Sequence, residues 1–400
     1  MSALSHPGFR AYFFAAVPLV QALWAQRVTL GWLAWEVSGS AAFVGLVAAL
    51  SLAPMLISGP IFGVLVDRAD IRRAIRTTSG AMAALMALAA LLAGGPGLGQ
   101  AMLVALALAI GLVSSAHHPV RMSLAPRLVP AAEVQNVVAL TALNFNLARL
   151  VAPMLAGLAL ASVGPVATLW AASALYLPML VAVRWMDPRP LPVSASGHGS
   201  IRQGLADAAR YIWVTPVTRQ AILLTGAMAV LVRGYLELLP VMAEGVHGRG
   251  AEGLGLLTAA AGAGALVAAF AKAMGQGQVR DGVPTLLRVL LVAGVLGLVG
   301  LGLARSWWVV LGWTALAGFT STFCGVTLQA MVQMELPDGL RGRVMSLWVV
   351  VGIGAVALGS GVLGGIAGLV GLPATLIGAG GIGGIATALM VLPSRTGRPT

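Results

Sequence analysis

Charge is scarce in this chain. Asp, Glu, Lys and Arg make up 9% of its 400 residues, against 59% apolar residues, and the mean hydropathy is +0.94. Soluble domains carry about 25% charged residues, so the shortage excludes a water-soluble globular protein and leaves a polytopic membrane protein. Acidic groups are scarcer still, with 12 Asp and Glu against 24 Lys and Arg and 5 His. A membrane-embedded enzyme would need His, Asp or Glu clustered at one membrane face, and the adjacent pair His117 and His118 does not supply that. The pair points to different faces of a helix and has no carboxylate nearby in sequence, so it does not read as a metal site. A single cysteine, Cys324, excludes an intramolecular disulfide and reads as a small core residue. No Gly-x-x-x-x-Gly-Lys-Ser/Thr pattern occurs, which disfavours ATP-driven work by this chain alone; Gly-x-Gly sequences such as Gly262 and Gly264 sit in apolar helices as packing positions. No cofactor is expected. Aromatics are nearly absent from many spans.

The residues present describe an all-α membrane protein. Crossing about 30 Å of hydrocarbon takes near 20 residues, and Gly, Pro and charge punctuation marks about twelve spans, including 11–34, 134–163, 166–183 and 221–242. The span at 11–34 is too long for a signal-peptide core, so it reads as a retained first helix. The net charge of +12 follows topology rather than nucleic acid: 19 of the 24 basic residues fall on one side, which the positive-inside rule makes the cytoplasm, with both termini there. The division is 1–186 for a first six-helix bundle, 187–219 for a cytoplasmic linker, and 220–400 for a second six-helix bundle. Within the linker, Ile201, Leu205, Ala209 and Ile212 recur at helical spacing, as in a helix lying on a membrane surface or a solvated connector.

The halves resemble each other at an offset of 206 to 207, as for Arg27/Arg233, Pro130/Pro337 and Gly157/Gly364. Paired six-helix repeats are an organisation of secondary transporters, with the substrate site near the midplane between them. A guanidinium at mid-bilayer costs roughly 2.5–3.5 kcal/mol on insertion scales. Arg27 and Arg233, at matching points of the two halves, are therefore expected to face each other across a cavity and to bind substrate. Gln21 and Gln26 lie near Arg27 and would orient a solute by neutral hydrogen bonds, or bond to neighbouring helices instead. Arg233 and Glu237, four apart, are expected to share a helix face and pair. That pair reads either as structural neutralisation or as part of a net positive site in which Glu237 couples an anionic or oxygen-rich solute to protons. Asn144, Asn146 and Arg149 read as a structural polar cluster.

From Gly63 the chain runs Gly63-Val64-Leu65-Val66-Asp67-Arg68-Ala69-Asp70-Ile71-Arg72-Arg73 between the second and third spans. This resembles the signature loop of the major facilitator superfamily, with Asp70 in place of its usual second glycine. Trp24 to Ser40, Pro119 to Pro130, Asn144 to Gly157, Glu237 to Pro240 and Leu340 to Leu347 narrow the likeness to the enterobactin-exporter-like and macrolide-efflux-like branch. The resemblance implies two pseudo-symmetric six-helix bundles, twelve transmembrane helices in all, with the first and seventh lining the cavity. It implies gating by Gly63, Asp67, Arg68, Arg72, Arg73 and Arg343, with Asp67 as a latch between the halves, although Asp67 also reads as a counter-charge to its basic neighbours. Pro153 and Gly157 are similar to an antiporter motif of the fifth helix, or serve generic close packing. The resulting expectation is a monomeric inner-membrane secondary transporter, not an enzyme. It would export a small organic solute by alternating access in exchange for protons, with the lipid bilayer as surroundings. An importer, a lysophospholipid flippase or a non-transporting scaffold are the alternatives. The fourth span lacks the arginine that many proton antiporters of the superfamily carry within it, since Arg121 is placed toward its cytoplasmic end.

Overall fold

The computed structural model describes residues 2–68, 70–189, 201–274 and 284–391, without the side chains at 57–61, 63–68, 150, 201–205, 273, 338–339 and 341–342. Gly63, Asp67 and Arg68 therefore lie outside the described side chains.

Proline, glycine and one aspartate set the helix boundaries. The first helix, α1 (Pro7–Ser38), opens on a proline, whose fixed φ suits a first turn. It ends at Gly39 with φ 59°, whose N–H donates to the Trp35 carbonyl. Next come α2 (Ala41–Arg68) and α3 (Ile71–Ala93). Asp70 caps α3, its carboxylate accepting from the backbone N–H groups of Arg72 at 2.9 Å and Arg73 at 3.2 Å. That is a physical reason for an aspartate where the signature loop usually has glycine. After α4 (Gln100–Leu124), α5 (Val134–Ala174) folds back at Gly164, φ 77° and ψ 173°, followed by Pro165, so it forms two arms as the spans 134–163 and 166–183 predict. The short α6 (Leu177–Ala182) continues the second arm.

The second half begins with α7 (Ile201–Val214), bent by 102° from the helix that follows it. That next span is not one regular helix: α8 (Pro216–Met228) passes through a π-helical turn at Ala229–Arg233, a single α-turn, α9 (Gly234–Leu236), and a second π-turn at Val241–Val246. Then follow α10 (Gly250–Met274), α11 (Thr285–Leu303), α12 (Trp307–Glu335), α13 (Asp338–Val370) and α14 (Leu372–Val391). Among the described residues nine helices are long and apolar enough to cross a membrane, or ten with the bent pair. One of the nine, 131–185, contains the Gly164 fold-back, and α2 is described only in part, so the count is consistent with twelve crossings.

Large apolar side chains face outward along the helices, as at Leu91, Val267, Phe270, Leu369 and Ile382. Backbone groups are satisfied within each helix, so this belt is suited to lipid. Within the first bundle α1 packs on α5, and α2 and α3 on α4; within the second, α10 packs on α12 and α11 on α14. Between the bundles the extensive contacts are α2 with α13 and α5 with α10. Small residues permit both crossings. A Cβ on Gly364 would lie 2.8 Å from the Gly45 Cα, and one on Gly255 would lie 3.0 Å from the Gly157 carbonyl carbon. These glycines fall within about two helical turns of Gly39, Gly164, Gly250 and Gly371, so the bundles are clamped at the end where those turns lie.

Candidate functional site

Beneath that clamp lies a cavity of about 390 Å³ walled by both bundles. Its lining includes Arg27 of α1, Arg121 of α4, Arg149 of α5, and Arg233 and Glu237 of the broken α8–α9 segment. Four guanidiniums thus share one space with a single carboxylate among the described residues. Apolar and aromatic groups fill much of the rest, among them Trp24, Met55, Phe145 and Val356.

Arg27 and Arg233 both line this cavity, while the pairing of Glu237 differs from the one its i,i+4 spacing suggests. Glu237 forms its ion pair with Arg27 of the other bundle, and no salt bridge to Arg233 occurs among the described residues. The π-turn at Ala229–Arg233 and the single α-turn after it explain the difference, because a widened turn breaks the i,i+4 alignment that a regular helix would give. The Arg27 guanidinium also lies 5.2 Å from the Trp24 ring centroid, a second source of cation stabilisation.

Gln26 lines the cavity and accepts a hydrogen bond from the Tyr176 hydroxyl at 3.0 Å, so it is held by its own bundle. Gln21 lies outside the cavity lining, and its Oε1 is buried with no hydrogen-bond partner among the described residues. Among the described residues no hydrogen bond joins Asn144, Asn146 and Arg149, which were expected to form a polar cluster. Asn144 is buried, exposed Asn146 donates to the Ala142 carbonyl of its own helix, and Arg149 turns into the cavity, donating to Thr322 Oγ1 of α12 at 3.3 Å. Successive positions of a helix point in different directions, which separates these three.

Pro153 lines the cavity and its carbonyl accepts from Thr258 Oγ1 at 3.2 Å, while Gly157 carries the α5–α10 crossing. Among the basic gating candidates, Arg72 donates to the Val183 and Arg184 carbonyls at 3.3 and 3.4 Å. Arg73 pairs with Asp70 at 3.3 Å, and Arg343 is exposed.

Sequence reasoning missed Arg121. It is 6% exposed and still within α4, where it faces the cavity together with His117 and His118, so the two histidines share a face instead of pointing apart as expected. The signal was legible, since Ser114, His117, His118 and Arg121 recur at three- and four-residue spacing and so mark one face of a helix. No group of three or more His, Cys, Asp or Glu that could hold a metal occurs among the described residues.

A cavity enclosed between paired six-helix bundles is the geometry of a carrier. A model of the Transmembrane secretion effector family matches residues 1–396. The chain belongs to that family. It is accordingly a multi-pass membrane transporter of the major facilitator superfamily. The transporter is 27% identical over 369 residues to the enterobactin exporter EntS of Citrobacter koseri, covering 92% of this chain and 86% of that protein. Its identity to EntS of an Escherichia coli strain is 26% over 370 residues, with the same coverage. Its fold matches a bacterial homologue of the human lysosomal transporter Spinster in an inward-facing, occupied conformation, with TM-score 0.73, 13% identity and 96% of each chain covered. It also matches the nucleoside transporter NupG, with TM-score 0.70, 11% identity, and 96% and 99% covered.

Proposed function

We propose that this transporter exports a small organic anion across the inner membrane in exchange for protons, by rocking its two bundles about the central cavity. One observation carries the reading: four arginines and one carboxylate line a space shared by both bundles, and the carboxylate is paired across the bundle boundary. Buried like charges repel strongly at low dielectric, so an anion entering the cavity relieves them. An anion that takes over the Arg27 guanidinium leaves Glu237 without its counter-charge, and a proton then neutralises the carboxylate. Substrate and proton are in this way linked through one side chain, reciprocally. The resemblance to proteins named as exporters supports the outward direction.

In this reading 1–186 and 220–400 are the moving bodies and 187–219 joins them on the cytoplasmic side, where both termini lie. The glycine crossings close the opposite side, so the cavity faces the cytoplasm. Asp67 and Arg343, with Gly63, Arg68, Arg72 and Arg73, close the cytoplasmic side in the other half of the cycle, and Pro153 and Gly157 let α5 change its contacts. The transporter works as a monomer.

A thermal-shift screen of the purified protein against anionic, neutral and cationic solutes at two pH values tests the reading. Selective stabilisation by anions, weakened in Arg27→Gln and Arg233→Gln, is the expected result. Equal stabilisation by cations would overturn it.

A further inference from the structure

Arg121 and Arg27 stand at opposite ends of a continuous strip of aromatic rings. The Arg27 guanidinium lies 5.2 Å from the Trp24 centroid, the Trp24 and Phe145 centroids are 5.9 Å apart, and the Arg121 guanidinium lies 5.8 Å from the Phe145 centroid. All four side chains line the central cavity. The two guanidiniums differ in one respect. Arg27 has Glu237 as its counter-ion, whereas no salt bridge to Arg121 occurs among the described residues, and its Nη1 is buried with no hydrogen-bond partner. The neighbouring Tyr12 hydroxyl donates to the Arg121 backbone carbonyl rather than accepting from its guanidinium. Beside it, the Thr78 hydroxyl donates to the Ala74 carbonyl at 2.8 Å and accepts from His117 Nδ1 at 3.0 Å, so the Nε2 of that neutral ring presents a lone pair and leaves Arg121 as the donor at this end.

We propose that Arg121 forms a second anion subsite, and that the solute carries two anionic groups separated by a flat apolar segment. One group engages the Arg27 end, the flat segment lies against Trp24 and Phe145, and the other group reaches Arg121. This rests on the reading that the central cavity binds an anion, and it adds the length, the charge and the shape of that anion. A buried guanidinium is strongly hydrated in the unfolded chain and needs acceptors once desolvated, so an oxyanion there satisfies donors that the protein leaves open. The two rings offer a planar group a face that a flexible aliphatic chain uses less well.

Calorimetric titration of the full-length, detergent-solubilised transporter with benzoate, terephthalate and adipate tests this. Terephthalate is expected to bind about tenfold more tightly than benzoate, the increment of one charge-assisted contact, and to fall to the level of benzoate in Arg121→Gln. Phe145 is 36% exposed on the wall, so Phe145→Ala is the variant that folds if loss of buried Arg121 does not; it is expected to erase the preference for terephthalate over adipate. Terephthalate binding no tighter than benzoate overturns the subsite. So does an advantage that survives Arg121→Gln at unchanged melting temperature, or a ring preference that survives Phe145→Ala. Benzoate binding that is lost in Arg27→Gln, with no gain for terephthalate, removes the subsite and leaves the central anion site standing. Failure of every anion to bind the unmodified protein removes both.

Discussion

Arg27 and Glu237, 210 positions apart, join the two bundles by an ion pair at the roof of the cavity. In the proposed cycle the pair separates as the bundles part at that end. In the proposed exchange, removing the carboxylate charge is expected to separate transport from proton coupling. In proteoliposomes, Glu237→Gln is expected to retain substrate exchange while flux driven by a proton gradient drops at least tenfold, on the order of 1.4 kcal/mol. Undiminished gradient-driven flux would rule Glu237 out as the carrier of the proton.

The crossing of α5 and α10 leaves no room for a side chain. Gly157→Leu places atoms against Gly255 and Thr258, and overpacking of this kind costs about 1–3 kcal/mol. The melting temperature should fall by several degrees and transport with it, because the clamp can no longer close. A Cβ added at Gly378 would meet nothing within 4 Å among the described residues, so Gly378→Ala is the control, with transport unchanged and no loss of melting temperature. An unaltered melting curve for Gly157→Leu would mean that the crossing contributes nothing to stability.

How far these features were legible depends on which residues carried them. Scarce charge and the 206-residue offset disclosed a membrane carrier in two halves, because hydrocarbon tolerates few charges and repeats preserve helix punctuation. Arg27, Arg233 and Glu237 were legible as cavity residues for the same reason. The partner of Glu237 was not, because i,i+4 reasoning assumes a regular helix and the π-turn at Ala229–Arg233 breaks it. Arg121 was placed toward the cytoplasmic end of the fourth span, yet α4 continues to Leu124 and its side chain lines the cavity. Asp70 looked like a departure from a motif, whereas its carboxylate caps α3.

That cap gives a prediction on stability. Asp70→Ala should lower it by about 1 kcal/mol and Asp70→Gly by only a few tenths, the ordinary ranking of helix caps. Chemical or thermal denaturation of the two variants side by side checks the order. The reverse ranking would show that the salt bridge to Arg73, lost in both, is not what distinguishes them and that the cap is not formed.

At the opposite end of the molecule, beyond the helices, His247 packs edge-on to Trp307 at 5.6 Å, and the Arg249 guanidinium lies 5.6 Å from the same ring. Desolvation first, and then the Arg249 charge, hold the His247 pKa below the ordinary histidine value of about 6.5. The folded state therefore binds this proton less readily than the unfolded state. Its contribution to stability is present above about pH 6.5 and is lost as pH falls through the lower folded value. Melting temperature should decline on acidification across that window, and His247→Gln should decline less. Equal slopes for the two proteins would remove His247 as a source of the acid sensitivity.

Arg149 offers the sharpest separation of binding from folding. Its donation to Thr322 Oγ1 at 3.3 Å reaches across the bundle boundary, and it shares the cavity with Arg27 and Arg233, which repel it. Arg149→Gln removes one of the repelling cations while keeping a group able to donate to Thr322. The empty transporter should therefore melt at the same temperature or higher, whereas stabilisation by a bound anion should shrink, by about tenfold in apparent affinity if one charge-assisted contact is lost. A purely structural arginine would behave in the opposite way, with a lower melting temperature and an unchanged anion response. Measuring both quantities on one variant decides whether the positive charge of this cavity serves the solute or the fold.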